Sequence, residues 1–360
     1  MALTQVQSGI LADSTQTYGM KNRIINGDMR IAQRGTSVTG FTSGQLRTCD
    51  RIGAYVNACT WTGTQSTDAP AGFTNSNRIE CTTADTNIGA TEQAQFFYNI
   101  EDRDLQDFAK GTASSSPFTV SFWIKSNKTG TSVLNINDNN SRHINAAYTI
   151  NQSNTWEYKT ITFPGDTSGP LTNNGSTGFT LEFWLRVGSN NTGGSIQNNW
   201  TTFVSANRAA GTNLDLGLSV GDYAAITGLQ LEKGSTATKF DTRSYGTELA
   251  LCQRYYYLHC SGTGKSVGRG GYYTSSQVEA NVFYKVNMRT TPVLVATSGT
   301  DYYVAYRNSA GDTFNSLTLA DAGETQAMVY NTSEASGTAG HVAHMVTNNS
   351  LASIAFNAEL

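Results

Sequence analysis

Charged residues are scarce in this chain of 360 residues, at 14%, against about 25% in ordinary soluble proteins. The formal net charge is −3, so no basic field exists that would concentrate nucleic acid or anionic lipid. No run of eighteen apolar residues occurs, and the first residues do not form a cationic region followed by an apolar core. We therefore expect no nucleic-acid partner, no membrane insertion and no signal peptide.

Proline and cysteine are also rare, with five residues of each. Five is an odd number and no C-x-x-C pair occurs, which favours reduced, partly buried thiols over a disulfide framework or a zinc site. Glycine, threonine, serine and asparagine are abundant instead, so polarity comes from amides and hydroxyls. This composition predicts an all-β protein made of short strands with turns between them.

One eight-residue pattern occurs twice: residues 118–125 read FTVSFWIK and residues 179–186 read FTLEFWLR. Strict alternation of this kind predicts a strand with one buried face. The side chains expected on the buried faces are Phe118, Val120, Phe122 and Ile124 in the first copy, and Phe179, Leu181, Phe183 and Leu185 in the second. The opposite face of each copy carries a tryptophan and then a cation, namely Trp123 with Lys125 and Trp184 with Arg186.

These two Trp–cation pairs are the first candidate ligand-binding residues. If the two strands lie near each other in one sheet, Trp123, Lys125, Trp184 and Arg186 form an aromatic surface fringed with cations. Flat aromatic faces suit the apolar faces of pyranose rings, and asparagine and threonine suit sugar hydroxyls. The alternative is that both tryptophans are covered by the glycine-rich connection 188–218, by a second domain or by another subunit.

The chain divides into three predicted parts: a docking segment 1–20, a jelly-roll β-sandwich 21–245 and a smaller C-terminal β domain 246–360. Regular short strands separated by turn signals predict the sandwich. A change of period over 245–257 predicts a short helix or turn that leads the C-terminal domain, although the same residues could pass into a strand. Within the sandwich, strands are expected near 23–33, 51–59, 78–83, 94–101, 118–126, 144–150, 156–163, 179–187 and 223–232.

Tyrosines of the C-terminal domain form a second candidate surface. Adjacent tyrosines on a strand point to opposite faces, so one of each pair is expected to pack while the other faces outward. Such side chains are adaptable contacts for a glycan or a protein. The candidates are Tyr272, Tyr302, Tyr303 and Tyr306.

Enzyme and cofactor motifs are not convincing in this sequence. The GTGKS of residues 262–266 lacks the first glycine of a phosphate loop. His341 and His344 would point to opposite faces of a predicted strand and make a poor metal pair. No nucleophile signature occurs. We therefore expect a non-enzymatic protein with no cofactor, no catalytic residue and no metal site.

Three segments resemble recurrent elements of bacteriophage tail-fibre and minor virion proteins. The first is NRIINGDMRIAQRGTS over 22–37, followed by DRI at 50–52. The second is ITGLQLEKGSTATKFDTRSYGTELALCQRYYYLH over 226–259. The third pairs VNMRTTPVL over 286–294 with the terminal AFNAEL. Together they bracket both predicted domains, from residue 22 to the end of the chain.

The resemblance implies a jelly roll like that of a carbohydrate-binding module, followed by a small β domain, in a homotrimeric virion appendage that contacts the host surface. Related modules place calcium between their first and last strands, which would point to Asp28 and Glu232, with surface carboxylates as the alternative. This chain departs from the family by having Ala32 where an aromatic is frequent, and Ile52 where a tryptophan is. A jelly roll that serves only as scaffold is therefore an alternative.

The function expected from this reasoning is that of a phage structural protein, a tail fibre or similar appendage, which presents a host-surface glycan recognition face. Its partners would be other virion proteins, and it would be made in the host cytoplasm and located in the virion. The alternatives are a capsid-decoration or connector protein that binds no sugar, and a polysaccharide depolymerase.

Overall fold

The computed structural model describes residues 20–139 and 141–360. The chain forms two compact units, Met1–Ser244 and Tyr245–Leu360. All of the predicted docking segment 1–20 except Met20 lies outside the described residues. Strand takes up 44% of the chain and helix 6%, which confirms the all-β prediction. Among the described residues, no helix is long and apolar enough to cross a membrane.

In the first unit, the described residues form a series of antiparallel strands and three short 3-10 helices. The strands are β1 (Ser37–Phe41), β2 (Gly44–Leu46), β3 (Ile52–Val56), β4 (Thr60–Ser66), β5 (Ser76–Thr83), β6 (Gln93–Glu101), β7 (Phe118–Ser126), β8 (Gly130–Asn137), β9 (Arg142–Ile150), β10 (Glu157–Phe163), β11 (Thr177–Val187), β12 (Thr201–Thr202) and β13 (Tyr223–Lys233). The 3-10 helices span Asp102–Phe108, Ser189–Asn191 and Ser205–Asn207.

Two sheets of these strands pack face to face as a jelly-roll sandwich. The first sheet has the order β1-β4-β5-β13-β7-β10 and the second has the order β12-β9-β8-β11-β6-β3-β2. The chain crosses repeatedly from one sheet to the other, as between β6 and β7, β9 and β10, and β10 and β11. This topology confirms the predicted fold class.

Alternation along β7 and β11 sends their apolar side chains into the space between the sheets. Phe118, Phe122, Phe179 and Phe183 are all at most 2% exposed. The rings of Phe122 and Phe183 meet edge to face across the core, with centroids 4.9 Å apart. Burying one such ring stabilises the fold by about 2 kcal/mol, so the two copies of the repeated pattern anchor the sandwich from opposite sides.

The predicted strand over 23–33 is wrong, because this stretch is a chain of turns. Asn26 and Met29 have φ of 58° and 60°, which lie in the left-handed region and outside the extended range of regular strand residues. The Asn26 side chain donates to the carbonyls of Ile31 and Asp50, each at 2.9 Å, and so fixes the bend. The beginning of the described chain nevertheless lies beside the last strand of the unit, since the Arg23 N–H donates to the Leu231 carbonyl at 2.9 Å.

The second unit begins with helix α1 (Tyr245–Gln253) and continues in strands. The strands are β14 (Tyr256–Ser261), β15 (Ser266–Thr274), β16 (Gln277–Phe283), β17 (Val293–Ala296), β18 (Tyr303–Arg307), β19 (Ala310–Phe314), β20 (Thr318–Ala320), β21 (Gln326–Asn331), β22 (Val342–Thr347) and β23 (Ser353–Asn357). They form a three-stranded sheet, β14-β23-β17, and a seven-stranded sheet, β19-β18-β22-β15-β16-β21-β20. Residues 245–257 thus contain both of the predicted alternatives, a helix and then the start of a strand.

Candidate functional site

A groove of about 320 Å³ opens on the outer face of the first sheet. Three strands, β7, β10 and β13, contribute to it, together with two connections that lie above the sheet. We call it the outer groove. Its lining residues are Ala71, Gly72, Phe73, Ser121, Trp123, Tyr158, Gly228, Thr238, Lys239, Phe240 and Thr242.

Trp123 and Tyr158 form the aromatic floor of the outer groove. They are direct cross-strand partners of β7 and β10, so their side chains leave the sheet on the same face. Their ring centroids lie 5.3 Å apart with the planes tilted by 46°. Trp123 is half-buried and Tyr158 is 46% exposed. Solvent therefore reaches both rings, which a ligand requires.

A glycine in β13 makes room for a third ring. The pairing of β13 with β7 shifts register between Thr227 and Gln230, and Gly228 lies in this bulge with φ of 60°. A Cβ on Gly228 would come within 2.7 Å of the Phe73 ring and 3.0 Å of the Trp123 ring, closer than carbon atoms pack. The glycine thus allows Phe73 to lie beside Trp123.

The wall of the outer groove is the segment 234–243, which we call the wall segment. Its Phe240 ring meets Phe73 edge to face, with centroids 5.1 Å apart. The Glu232 carboxylate accepts hydrogen bonds from the N–H and the hydroxyl of Thr238, at 2.8 and 2.7 Å. The Gln230 side chain accepts from the Asp241 N–H at 2.8 Å. Buried polar groups of β13 therefore hold the wall against the sheet.

These bonds give Glu232 a structural role in place of the calcium role that the resemblance suggested. A metal site needs several carboxylate or other ligands around one point. No group of three or more histidine, cysteine, aspartate or glutamate side chains that could hold a metal ion occurs among residues 20–139 and 141–360.

The acidic side chain beside the groove is neutralised within the fold. Asp68 accepts hydrogen bonds from the Lys125 ammonium at 2.8 Å and from the Trp156 indole at 3.0 Å. Burial acts to raise the pKa of Asp68, but the bonds from Lys125 and Trp156 outweigh it and hold this pKa below its ordinary value. The predicted site residue Lys125 therefore lies on the outer face beside Trp123, with its charge already paired.

The predicted pairing of Trp123 with Trp184 in one aromatic surface is wrong, because β7 and β11 lie in different sheets. Trp184 is on the outer face of the second sheet and has 0% exposure. It packs with Val133 and Ala209, and the Arg208 guanidinium lies 4.9 Å from its ring centroid. The glycine-rich connection thus covers it, as the alternative interpretation held.

Arg186 is equally inaccessible. It has 0% exposure, and it donates to the Asp215 carboxylate and to the Asp85 carbonyl, each at 2.9 Å. A buried guanidinium with these partners holds loops to the sheet and cannot meet a ligand at the surface.

The tyrosines predicted as contacts divide between core and surface. Tyr272 and Tyr303 are buried core residues, so their prediction as ligand contacts is wrong. The Tyr272 hydroxyl donates to Asp312 at 2.8 Å, and the Tyr303 hydroxyl donates to the Thr297 carbonyl at 2.6 Å. Tyr302 is half-buried and Tyr306 is 52% exposed. One tyrosine packs and the other faces outward in the pair Tyr272 and Tyr273, whereas both Tyr302 and Tyr303 pack against the core of the second unit.

Sequence reasoning missed three rings of the outer groove: Phe73, Tyr158 and Phe240. The sequence could have indicated Tyr158, because it shares one face of the predicted strand 156–163 with Trp156 and Thr160. Phe73 and Phe240 lie in connections without periodicity, so no local pattern indicates that they meet.

No protein-family model matches the chain, and no curated protein matches it in sequence.

Among solved structures, the enzymatically active domain of tailspike protein 4 from bacteriophage CBA120 is similar with 14% identity and a TM-score of 0.31, over 59% of this chain and 21% of that one. A family 11 carbohydrate-binding module from Clostridium thermocellum, in complex with a β-1,3-1,4-mixed-linked tetrasaccharide, is similar with 12% identity and a TM-score of 0.27, over 57% of this chain and 97% of that one. The CBM22-1-CBM22-2 tandem of Paenibacillus barcinonensis Xyn10C gives 8% identity and a TM-score of 0.27, over 94% of this chain and 98% of that one. Likenesses of this degree carry no argument about what the chain binds.

Proposed function

We propose that the first unit is a non-catalytic glycan-binding module and that the outer groove is its binding site. The observation that carries this proposal is the meeting of four aromatic rings, Phe73, Trp123, Tyr158 and Phe240, around one solvent-open groove. Large side chains of this kind are mostly buried unless a surface is used for binding.

The chemistry of the groove matches a sugar chain. The faces of Trp123 and Tyr158 suit the C–H faces of pyranose rings, while the ring edges of Phe73 and Phe240 limit the width of the groove. The exposed Thr242 also lines the groove, and its hydroxyl suits a sugar hydroxyl. A mixture of apolar planes and a few polar groups is typical of small-ligand sites.

A glycan array tests this proposal directly. The wild-type protein is expected to bind at least one class of bacterial surface polysaccharide, and Tyr158→Ala should weaken that binding about tenfold, since one stacked ring contributes of the order of 1–2 kcal/mol. Tyr273→Ala is the matched control, because Tyr273 is an exposed tyrosine of the second unit and is not among the candidate ligand residues, and it should leave the affinity unchanged. An array with no bound glycan at any concentration would refute the proposal.

We further propose that the protein is part of a phage virion, a tail fibre or similar appendage assembled as a homotrimer, and that residues 1–20 attach it to other virion proteins. The support is the resemblance of residues 22–37, 226–259 and 286–294 to tail-fibre and minor virion proteins. A recognition face on the first unit is compatible with such a role.

The virion role is tested with the wild-type protein and a variant that lacks residues 1–20. Both are expected to have the mass of three chains by light scattering and the same β-type circular dichroism. Only the wild type should be incorporated when particles are assembled in infected cells, as measured by mass spectrometry of purified particles. Incorporation of the shortened variant would exclude the attachment role, and a monomer mass at all concentrations would exclude the trimer.

A second candidate function is that of a connector or decoration protein that binds other virion proteins and no sugar. The observation that favours it is a pair of exposed apolar side chains on the neighbouring strands β22 and β15. Val342 and Tyr273 are each 71% exposed, and Val342 is the cross-strand partner of Gly271, two residues from Tyr273. Exposed apolar patches often mark protein contacts. The array separates the two candidates, since the connector binds no glycan.

A further inference from the structure

Building on the proposed glycan site, we propose that the outer groove selects an acidic glycan, one whose sugar rings carry carboxylates. The inference rests on the charges at the groove. Stacking on aromatic rings does not by itself distinguish an acidic sugar from a neutral one. A neutral glycan needs only planes and hydroxyls, whereas an acidic one also needs a cation that is free to bind it.

Lys239 supplies this cation. It is exposed and lies in the wall segment, next to Phe240. It is the only charged side chain among the described residues that line the groove, and within the described part of the chain its ammonium has no hydrogen-bond or ion-pair partner. Its ammonium is therefore available to a ligand.

Other lysines on the same sheet are already engaged. Lys125 pairs with Asp68 at 2.8 Å, and Lys159 pairs with Glu157 at 2.6 Å. Lys21, which precedes the first strand, donates to the hydroxyl of Thr238. Against this background, an ammonium left unpaired at the rim of an aromatic groove provides a local positive charge.

The carboxylates near the groove do not cancel this charge. Asp68 is bound by Lys125 and the Trp156 indole, as described above. Glu232 is only 3% exposed and lies beneath Thr238. Its carboxylate accepts hydrogen bonds from the Thr238 N–H and hydroxyl. Asp241 accepts the Asn22 N–H at 3.3 Å. None of these three carboxylates lines the groove, whereas Lys239 does.

The neighbouring aromatic rings strengthen the interaction expected between the Lys239 ammonium and a carboxylate. A sugar that stacks on Trp123 displaces water from the apolar surface around it, and a charge-assisted hydrogen bond is stronger where water competes less. The groove therefore gains more from a carboxylate beside Lys239 than an isolated surface lysine would.

Matched pairs of glycans test this inference. The probes are oligosaccharides from polygalacturonate, alginate and hyaluronate, each beside its carboxyl-reduced, neutral product, with affinities measured by calorimetry at low and high salt. At least one acidic form should bind about fivefold more tightly than its neutral product, the gain expected for one partly exposed ion pair. Added salt should reduce this difference.

Two variants assign the difference to the proposed residue. Lys239→Gln removes the charge and keeps most of the side chain, so it should equalise the acidic and neutral forms while leaving the affinity for the neutral form unchanged. Lys285→Gln is the matched control, an exposed lysine of the second unit with the same loss of charge, and it should leave the preference intact.

The outcomes separate this inference from the proposed function. Equal affinity of wild type for the acidic and neutral forms, or a preference that survives Lys239→Gln, overturns the acidic selectivity while the glycan site stands. Binding of neutral glycans alone also overturns the acidic selectivity and leaves the proposed glycan site in place. Binding of no glycan at all overturns both.

Discussion

Replacing Trp123 with alanine is expected to lower the affinity of the protein for its glycan at least about thirtyfold, the loss that a central aromatic contact carries. Trp123 is the residue on which the outer groove is centred: Tyr158 lies beside it on the neighbouring strand, and Phe73 packs next to it over Gly228. Its removal takes away the flat floor and leaves Phe73 without support. Calorimetric titration of the glycan found on the array gives the measurement.

The same substitution should cost the fold little. Trp123 is half-buried on the outer face, so its removal opens no core cavity, and the expected loss in free energy of unfolding is about 1 kcal/mol. Tyr273→Ala serves as control, because Tyr273 is an exposed aromatic of the second unit. Retention of full affinity by Trp123→Ala would place the ligand elsewhere, and a large loss of stability would make its effect on binding uninformative.

Trp184→Ala is expected to show the reverse, a loss of about 3–5 kcal/mol in the free energy of unfolding of the first unit with unchanged glycan affinity in the folded protein. Trp184 has no exposed surface, and Val133, Ala209 and the Arg208 guanidinium enclose its ring. Alanine leaves a cavity there and removes the surface against which the glycine-rich connection packs. Urea denaturation followed by circular dichroism measures the loss.

Trp184→Phe is the matched variant for this prediction. It keeps an aromatic ring in the same place and should recover more than half of the lost stability. A stability of Trp184→Ala equal to that of the wild type would contradict the enclosed position. Loss of glycan affinity at temperatures where the variant is folded would mean that the second sheet takes part in binding.

The contrast between Trp123 and Trp184 shows what a local pattern can and cannot predict. The two copies of the pattern have the same alternation, and it predicts correctly which side chains enter the core, because the side-chain period of a strand is a local property. The neighbours of each strand are not local. Whether a tryptophan on the outer face meets solvent depends on which connection crosses that face, and only the folded chain decides this.

The second unit shows the same limit at smaller scale. Alternation predicts that one tyrosine of each adjacent pair packs and the other turns outward, which holds for Tyr272 and Tyr273 but not for Tyr302 and Tyr303, since both of these pack against the core. Alternation does not tell which tyrosine of a pair points into the core, which we call the phase of the strand. Tyr272 and Tyr303 turn inward, where Asp312 and the Thr297 carbonyl accept their hydroxyl protons, and Tyr273 turns outward. The phase depends on the sheet's packing partner, which lies far away in the sequence.

The groove itself combines predictable and unpredictable parts. Its floor follows from two strands that the sequence indicates, β7 and β10. Its remaining rings, Phe73 and Phe240, come from connections, and they meet because Gly228 provides space and because Glu232 and Gln230 hold the wall segment. These are long-range contacts between residues without periodic neighbours, so one sequence without its fold does not indicate them.

The wall segment also has a mechanical consequence. It is the last stretch of the first unit and leads directly to Tyr245, where the second unit begins. It is fastened to the start of the described chain, since Arg243 donates to the Ile24 carbonyl at 3.0 Å and Asp241 accepts the Asn22 N–H. A pull transmitted from the second unit would therefore load the bonds of Arg243 and Asp241 before it reaches Lys239 and Phe240. The last residues of the wall segment thus act as a strain relief that shields the groove from tension along the chain.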